Sequence, residues 1–98
     1  MKGLKPHEAA AQEALEEAGL IGAIEKTPIG RYVYFKRREA HFDVCEVDVY
    51  LLNVERQAKT WRERGERQTE WFTLEEAAEL VQEAGMAAIL RDLAKTPH

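Results

Sequence analysis

Glu13, Glu16 and Glu17 are the residues of this chain whose type and spacing point most directly to chemistry. They lie in His7–Leu20, HEAAAQEALEEAGL. On a helix turning about 100° per residue they fall on one face, at i, i+3 and i+4. Ala10, Ala11, Ala14, Leu15 and Ala18 fall together as an apolar stripe. Ala9 lies between the carboxylates on the wheel, so nothing bulky from the preceding turn covers them. Like charges at this spacing repel by about 0.3 kcal/mol per pair, and no Lys or Arg between Pro6 and Gly19 offsets them. Such a helix either turns three acids to water or uses them on a cation.

A second stretch, Leu74–Ala84 (LEEAAELVQEA), gives the same wheel, with Glu75, Glu76, Glu79 and Glu83 opposite Leu74, Ala77, Ala78 and Val81. Residue order separates the two. The run Glu13-Ala14-Leu15-Glu16-Glu17-Ala18-Gly19-Leu20 resembles the C-terminal half of the Nudix box, G-x5-E-x7-R-E-U-x-E-E-x-G-U, where U is a bulky aliphatic residue. Glu13, Glu16, Glu17, Gly19 and Leu20 are in register, and Ala14 is a small stand-in at the first U. The rest of the box is thinned. Its first Gly would precede Met1, its first Glu falls on Leu4, and its Arg falls on Gln12, which can hydrogen-bond but carries no charge.

Downstream, Glu70-Trp71-Phe72-Thr73-Leu74-Glu75-Glu76-Ala77 is similar to the strand-to-helix segment that closes Nudix domains. Trp61-Arg62-Glu63, Arg67 and Pro28-Ile29-Gly30-Arg31-Tyr32 resemble the bacterial branch acting on diphosphoinositol polyphosphates and dinucleoside polyphosphates. The resemblance implies an α/β fold, a Nudix-like mixed sheet flanked by helices in an α/β/α sandwich, lacking two strands that would precede Met1. It also implies hydrolysis of a diphosphate bond with Mg²⁺ or Mn²⁺. The metal would neutralise phosphate oxygens and activate water, and such hard cations take carboxylate oxygens. By that resemblance Glu13, Glu16 and Glu17 are the catalytic metal ligands, Glu17 and Glu13 the more direct. A late-loop acid, Glu66 or Glu63, completes the site. A truncated or degenerate Nudix fold, binding without turnover, is the alternative.

Other residues carry weaker signals. Arg31, Lys36, Arg37 and Arg38 could meet substrate phosphates or be ordinary strand-end charges. Trp61 could stack on a base or cap the core. His7 and His41 stand apart from any Cys or paired His, and His98 is tail.

The chain has 98 residues, a length suited to one small domain over residues 1–98. A formal net charge of −4 argues against stable nucleic-acid binding as the main task. Cys45 is the single cysteine, so no internal disulfide is possible, and a reducing, cytoplasmic compartment is expected. Its place in an apolar strand suggests a buried structural thiol. No apolar run is long enough for a membrane span, and the start does not resemble a signal peptide.

The elements that must position these groups follow from period and punctuation. Pro6 suits a first helical turn and Gly19 a helix end, so a helix to about Ala18 is expected. Leu20–Glu25 and Arg31–Lys36 read as strands, then Phe42–Val54 as one long strand. In it Cys45, Val47, Val49 and Leu51 alternate with Val44, Glu46, Asp48, Tyr50 and Leu52. Glu55–Arg67 reads as a polar loop and Thr69–Phe72 as a short strand. Thr73 and Glu76 form a capping box. Gly85 is expected to break the second helix, Met86–Leu93 to continue it, and Lys95–His98 to fray. Strand edges and apolar faces left open by the missing strands predict a homodimer.

Overall fold

The computed structural model describes residues 3–96. In order these form α1 (Pro6–Ala18), β1 (Leu20–Ile24), β2 (Gly30–Arg37), β3 (Phe42–Val49), β4 (Leu52–Gln57), α2 (Leu74–Leu80) and α3 (Ala84–Lys95). The class is mixed α/β, helices with antiparallel strands, consistent with a Nudix-like fold. The chain divides into two compact units. One contains residues 1–28 and 50–70, the other residues 29–49 and 71–98.

In the first unit Pro6 opens α1, where its missing N–H costs nothing. Glu8 Oε1 accepts from the Lys5 N–H at 2.9 Å. Gly19 ends the helix at φ 69°, a left-handed conformation that favours glycine. A Cβ there would also run into the Trp61 ring. β1 pairs antiparallel with β4, from Leu20 opposite Gln57 to Ile24 opposite Leu52, with a bulge between Ile21 and Gly22. α1 packs on β1. Beside that contact a cleft of about 360 Å³ is lined by Leu4, Ala11, Leu15, Leu20, Ile24 and Leu52 among others. From α1, Ala11 and Leu15 of the apolar stripe line it together with Glu8 and Gln12, and Leu15 stays 39% exposed.

In the second unit β2 and β3 form an antiparallel hairpin, from Gly30 opposite Val49 to Arg37 opposite Phe42. The two-residue period expected for β3 is present: Asp43, Cys45, Val47 and Val49 are half-buried, and the residues between them are exposed. Cys45 is therefore half-buried rather than buried. It lies directly opposite Tyr34 in the hairpin, and the nearby thiol is the leading cause that raises the Tyr34 pKa above its ordinary value. Thr73 caps α2: its hydroxyl accepts from the Glu76 N–H at 3.1 Å, and the Glu76 carboxylate accepts from the Thr73 N–H at 3.0 Å. Ala78 of α2 and Ala87 of α3 are the buried apolar side chains among the described residues. α2 packs on α3, and α3 on β2.

The structure corrects four boundaries. The loop expected from Glu55 starts only after Gln57, because Glu55, Arg56 and Gln57 belong to β4. Phe42–Val54 is not one strand: it breaks at Tyr50 and Leu51 because β3 pairs with β2 while β4 pairs with β1. Residues 69–72 form no strand. The second helix stops at Leu80, and Val81 takes up extended backbone. Gly85 does not break anything; it lies in the first turn of α3, where a Cβ would strike Tyr32. Of the expected frayed tail, Lys95 ends α3, while Pro97 and His98 lie outside the described residues.

Candidate metal-binding carboxylates

The last turn of α1 holds two acids and no basic residue, the wrong sign for the negative end of a helix dipole. The chain corrects this from a distance. At the end of β4, the Gln57 side-chain amide donates to the Ala18 carbonyl at 2.9 Å, and the Ala58 N–H to the Gly19 carbonyl at 2.8 Å. These bonds satisfy carbonyls that a helix end leaves open. The Glu63 N–H then donates to the Glu16 carbonyl at 3.0 Å. The turn at 61–67 is thereby fastened along the acidic face.

That turn brings cations to the acids. Arg62 Nη1 lies 2.9 Å from Glu16 Oε1, and Gln12 Nε2 lies 3.4 Å from Oε2 of the same carboxylate. Arg67 spans two carboxylates: Nη2 is 3.2 Å from Glu17 Oε1, and Nε is 2.5 Å from Glu63 Oε1. The Glu63 hydrogen bond, followed by the charge of Glu17, holds the Arg67 guanidinium above its ordinary pKa, and Glu66 adds to the effect. The Glu13 side chain is exposed and, among the described residues, makes no hydrogen bond or ion pair. Trp61 seats its ring on Gly19 with Arg64 over it at 5.5 Å. The indole Nε1 is buried and has no hydrogen-bond partner in the chain.

The structure thus gathers Glu13, Glu16, Glu17, Glu63, Glu66 and Trp61 in one unit. Arg31 and Lys36 lie in the other. There Arg31 Nε bonds Asp48 Oδ1 at 2.6 Å and Nη1 reaches Glu46 Oε2 at 3.4 Å. Lys36 is exposed, opposite Asp43 in the hairpin. Arg38 bonds Asp43 at 2.7 Å. The ion-pair roles of Arg62 and Arg67 escape sequence reasoning; the signal for them is the pair of uncompensated acids in the last turn of α1.

As a donor set, the α1 and turn carboxylates suit a hard divalent cation, being all oxygen. Their charge is answered by guanidinium groups. Among the described residues no three His, Cys, Asp or Glu side chains converge as a formed metal centre. No helix among the described residues is long and apolar enough to cross a membrane.

No family model matches the chain, and no solved structure matches it. Curated proteins do. Nudix hydrolase 12, mitochondrial, of Arabidopsis thaliana is 32% identical over 89 residues, covering 87% of this chain and 44% of the relative. Nudix hydrolase 21, chloroplastic, of the same plant is 36% identical, covering 85% and 40%. Nudix hydrolase 16, mitochondrial, is 37% identical, covering 74% and 42%. The chain spans less than half the length of these relatives. Likeness to several Nudix hydrolases over most of its length, with a mixed α/β fold and an acidic helix ending in Gly19, supports placing this chain in the Nudix family.

Proposed function

We propose that this chain carries the metal-binding helix of a Nudix-type pyrophosphohydrolase. The substrate class is a nucleoside diphosphate derivative, a dinucleoside polyphosphate or a diphosphoinositol phosphate. Both compact units are read as parts of one Nudix-like domain of the bacterial branch named above. The observation that carries the reading is the register of Glu13, Glu16 and Glu17 on α1, closed by Gly19 in its left-handed conformation. Glu17 and Glu13 are the more direct ligands, Glu16 stands beside them, and Glu66 or Glu63 completes the set. Mg²⁺ or Mn²⁺ would supply charge against the phosphate oxygens and activate water. Lys36 and Arg37 are the expected phosphate contacts whose charges are uncommitted among the described residues. Arg31 and Trp61 would have to serve substrate beside the contacts they already make.

A second reading, a binding module without turnover, is favoured by one observation: Glu16 and Glu17 each already hold an arginine. An assay of the three substrate classes with Mg²⁺ or Mn²⁺ separates the two. Metal-dependent cleavage of at least one, lost in Glu17→Gln, supports the hydrolase. Binding without cleavage supports the module.

The homodimer and the cytoplasmic compartment stand as proposals of the same kind. Val33, Phe35, Phe42 and Val44 leave 50–67% of their surface open on the β2–β3 hairpin, and open apolar surface tends to be covered. Sedimentation of the chain at high concentration tests this; a stable monomer overturns it.

A further inference from the structure

We propose that Arg67 is an internal competitor for the cation: its guanidinium fills the gap between Glu17 and Glu63, and a divalent ion can load only when it leaves. This rests on α1 being the metal-binding helix, as proposed above.

The two arginines on the acidic face do different things. Arg62 holds one carboxylate, Glu16, whose other oxygen is met by Gln12 and whose carbonyl is tied to the Glu63 N–H. Glu16 is a fastener. Arg67 instead joins a helix carboxylate to a turn carboxylate, through different nitrogens, at 3.2 and 2.5 Å. A single positive charge is thus shared by two acids from separate elements, through oxygens that a cation would also need.

Both cannot be held at once. A divalent ion coordinated by Glu17 would face the guanidinium at short range, and like charges so placed repel. The ion brings twice the charge to the same oxygens and keeps several waters. Arg67 has somewhere to go, since its side chain is 54% exposed and its exit into solvent uncovers no buried donor. Glu63 and Glu66 then stay beside it in the turn, so the arm can return when the ion departs.

The test is calorimetric titration of the whole chain with Mn²⁺ alone. Arg67→Gln is expected to bind about tenfold more tightly than the wild type, the scale of removing one nearby like charge. Arg67→Lys, which keeps the charge but not the two-pronged contact, is expected to fall between them. Circular dichroism checks that each variant is folded. In the wild type, saturating Mg²⁺ should also shift the Arg67 Nε–H resonance as the ion pair opens. Equal affinity in wild type and Arg67→Gln overturns the competition while leaving metal binding intact. Lost binding in a folded Arg67→Gln overturns it too, since the arginine would then be holding the ligands in place. No binding by any of the three overturns both the competition and the metal-binding reading of α1.

Discussion

Arg62 Nη1 sits 2.9 Å from Glu16 Oε1, a contact between the last turn of α1 and a turn that follows β4. Glu16 is 22% exposed and Arg62 is 76% exposed. A pair with one end in water contributes about 0.5 kcal/mol. Arg62→Gln should therefore lower the melting temperature by about 3 °C for a domain of this size. Glu16→Gln should do the same, and the double variant should fall short of the sum, which a thermal-denaturation cycle measures.

Gly19→Ala should cost more. The residue would be held at φ 69° against its preference, and its new methyl would press on the Trp61 ring. A left-handed alanine alone costs about 1 kcal/mol, so urea denaturation should show at least that loss. Trp61 emission should move as the ring is displaced.

Acid should weaken the second unit through two named carboxylates. The Arg31 hydrogen bond holds Asp48 below its ordinary pKa, and hydrogen bonds from the Thr73 N–H and hydroxyl do the same for Glu76. A carboxyl depressed in the folded state contributes fully above its unfolded pKa and loses that contribution as pH falls through the folded one. Stability should be level from neutral pH down to about 5 and decline below about 4. Arg31→Gln should flatten the decline, because Asp48 then titrates nearer its unfolded value; denaturant midpoints across this range read it.

The two acidic helices should respond differently to metal. If α1 binds Mg²⁺, a roughly tenfold excess over Kd stabilises the fold by about 1.4 kcal/mol. Glu17→Gln should remove most of the resulting thermal shift. Glu79→Gln on α2 should keep it, because Glu79 lies beside Arg91 and Lys95, which supply positive charge of their own. Equal responses would mean that α1 is only a solvated face.

What the sequence made legible follows from the range of each interaction. Pro6, Gly19 and the Thr73–Glu76 box act on their own neighbours, and all three stand where local chemistry puts them. The alternation in Phe42–Val49 is likewise local and present. The break at Tyr50 and Leu51 is not local: no Gly or Pro marks it, and it exists because the next strand takes a different partner. Gly85 misleads too: it stands in the first turn of α3, where the distant Tyr32 leaves no room for a Cβ. The acids of α1 could be seen in the sequence. Their arginines could not: the uncompensated acids call for cations, but nothing near Glu16 says that Arg62, 46 residues on, supplies one.

The pairing of β1 with β4 encloses the whole β2–β3 hairpin within its loop. Closing Ile24 onto Leu52 before the hairpin exists means immobilising a long flexible connection, whereas Arg37 and Phe42 meet across a short turn. The nested hairpin should therefore form early and shorten the path that the outer pair must close. Pulse-labelled hydrogen exchange during refolding would show it as amide protection at Tyr32–Phe35 ahead of Ile21–Ala23. Because the turn bearing Arg62 and Arg67 hangs directly from β4, the acidic face of α1 would acquire its counter-charges only at that late step, and a nascent chain would carry it bare.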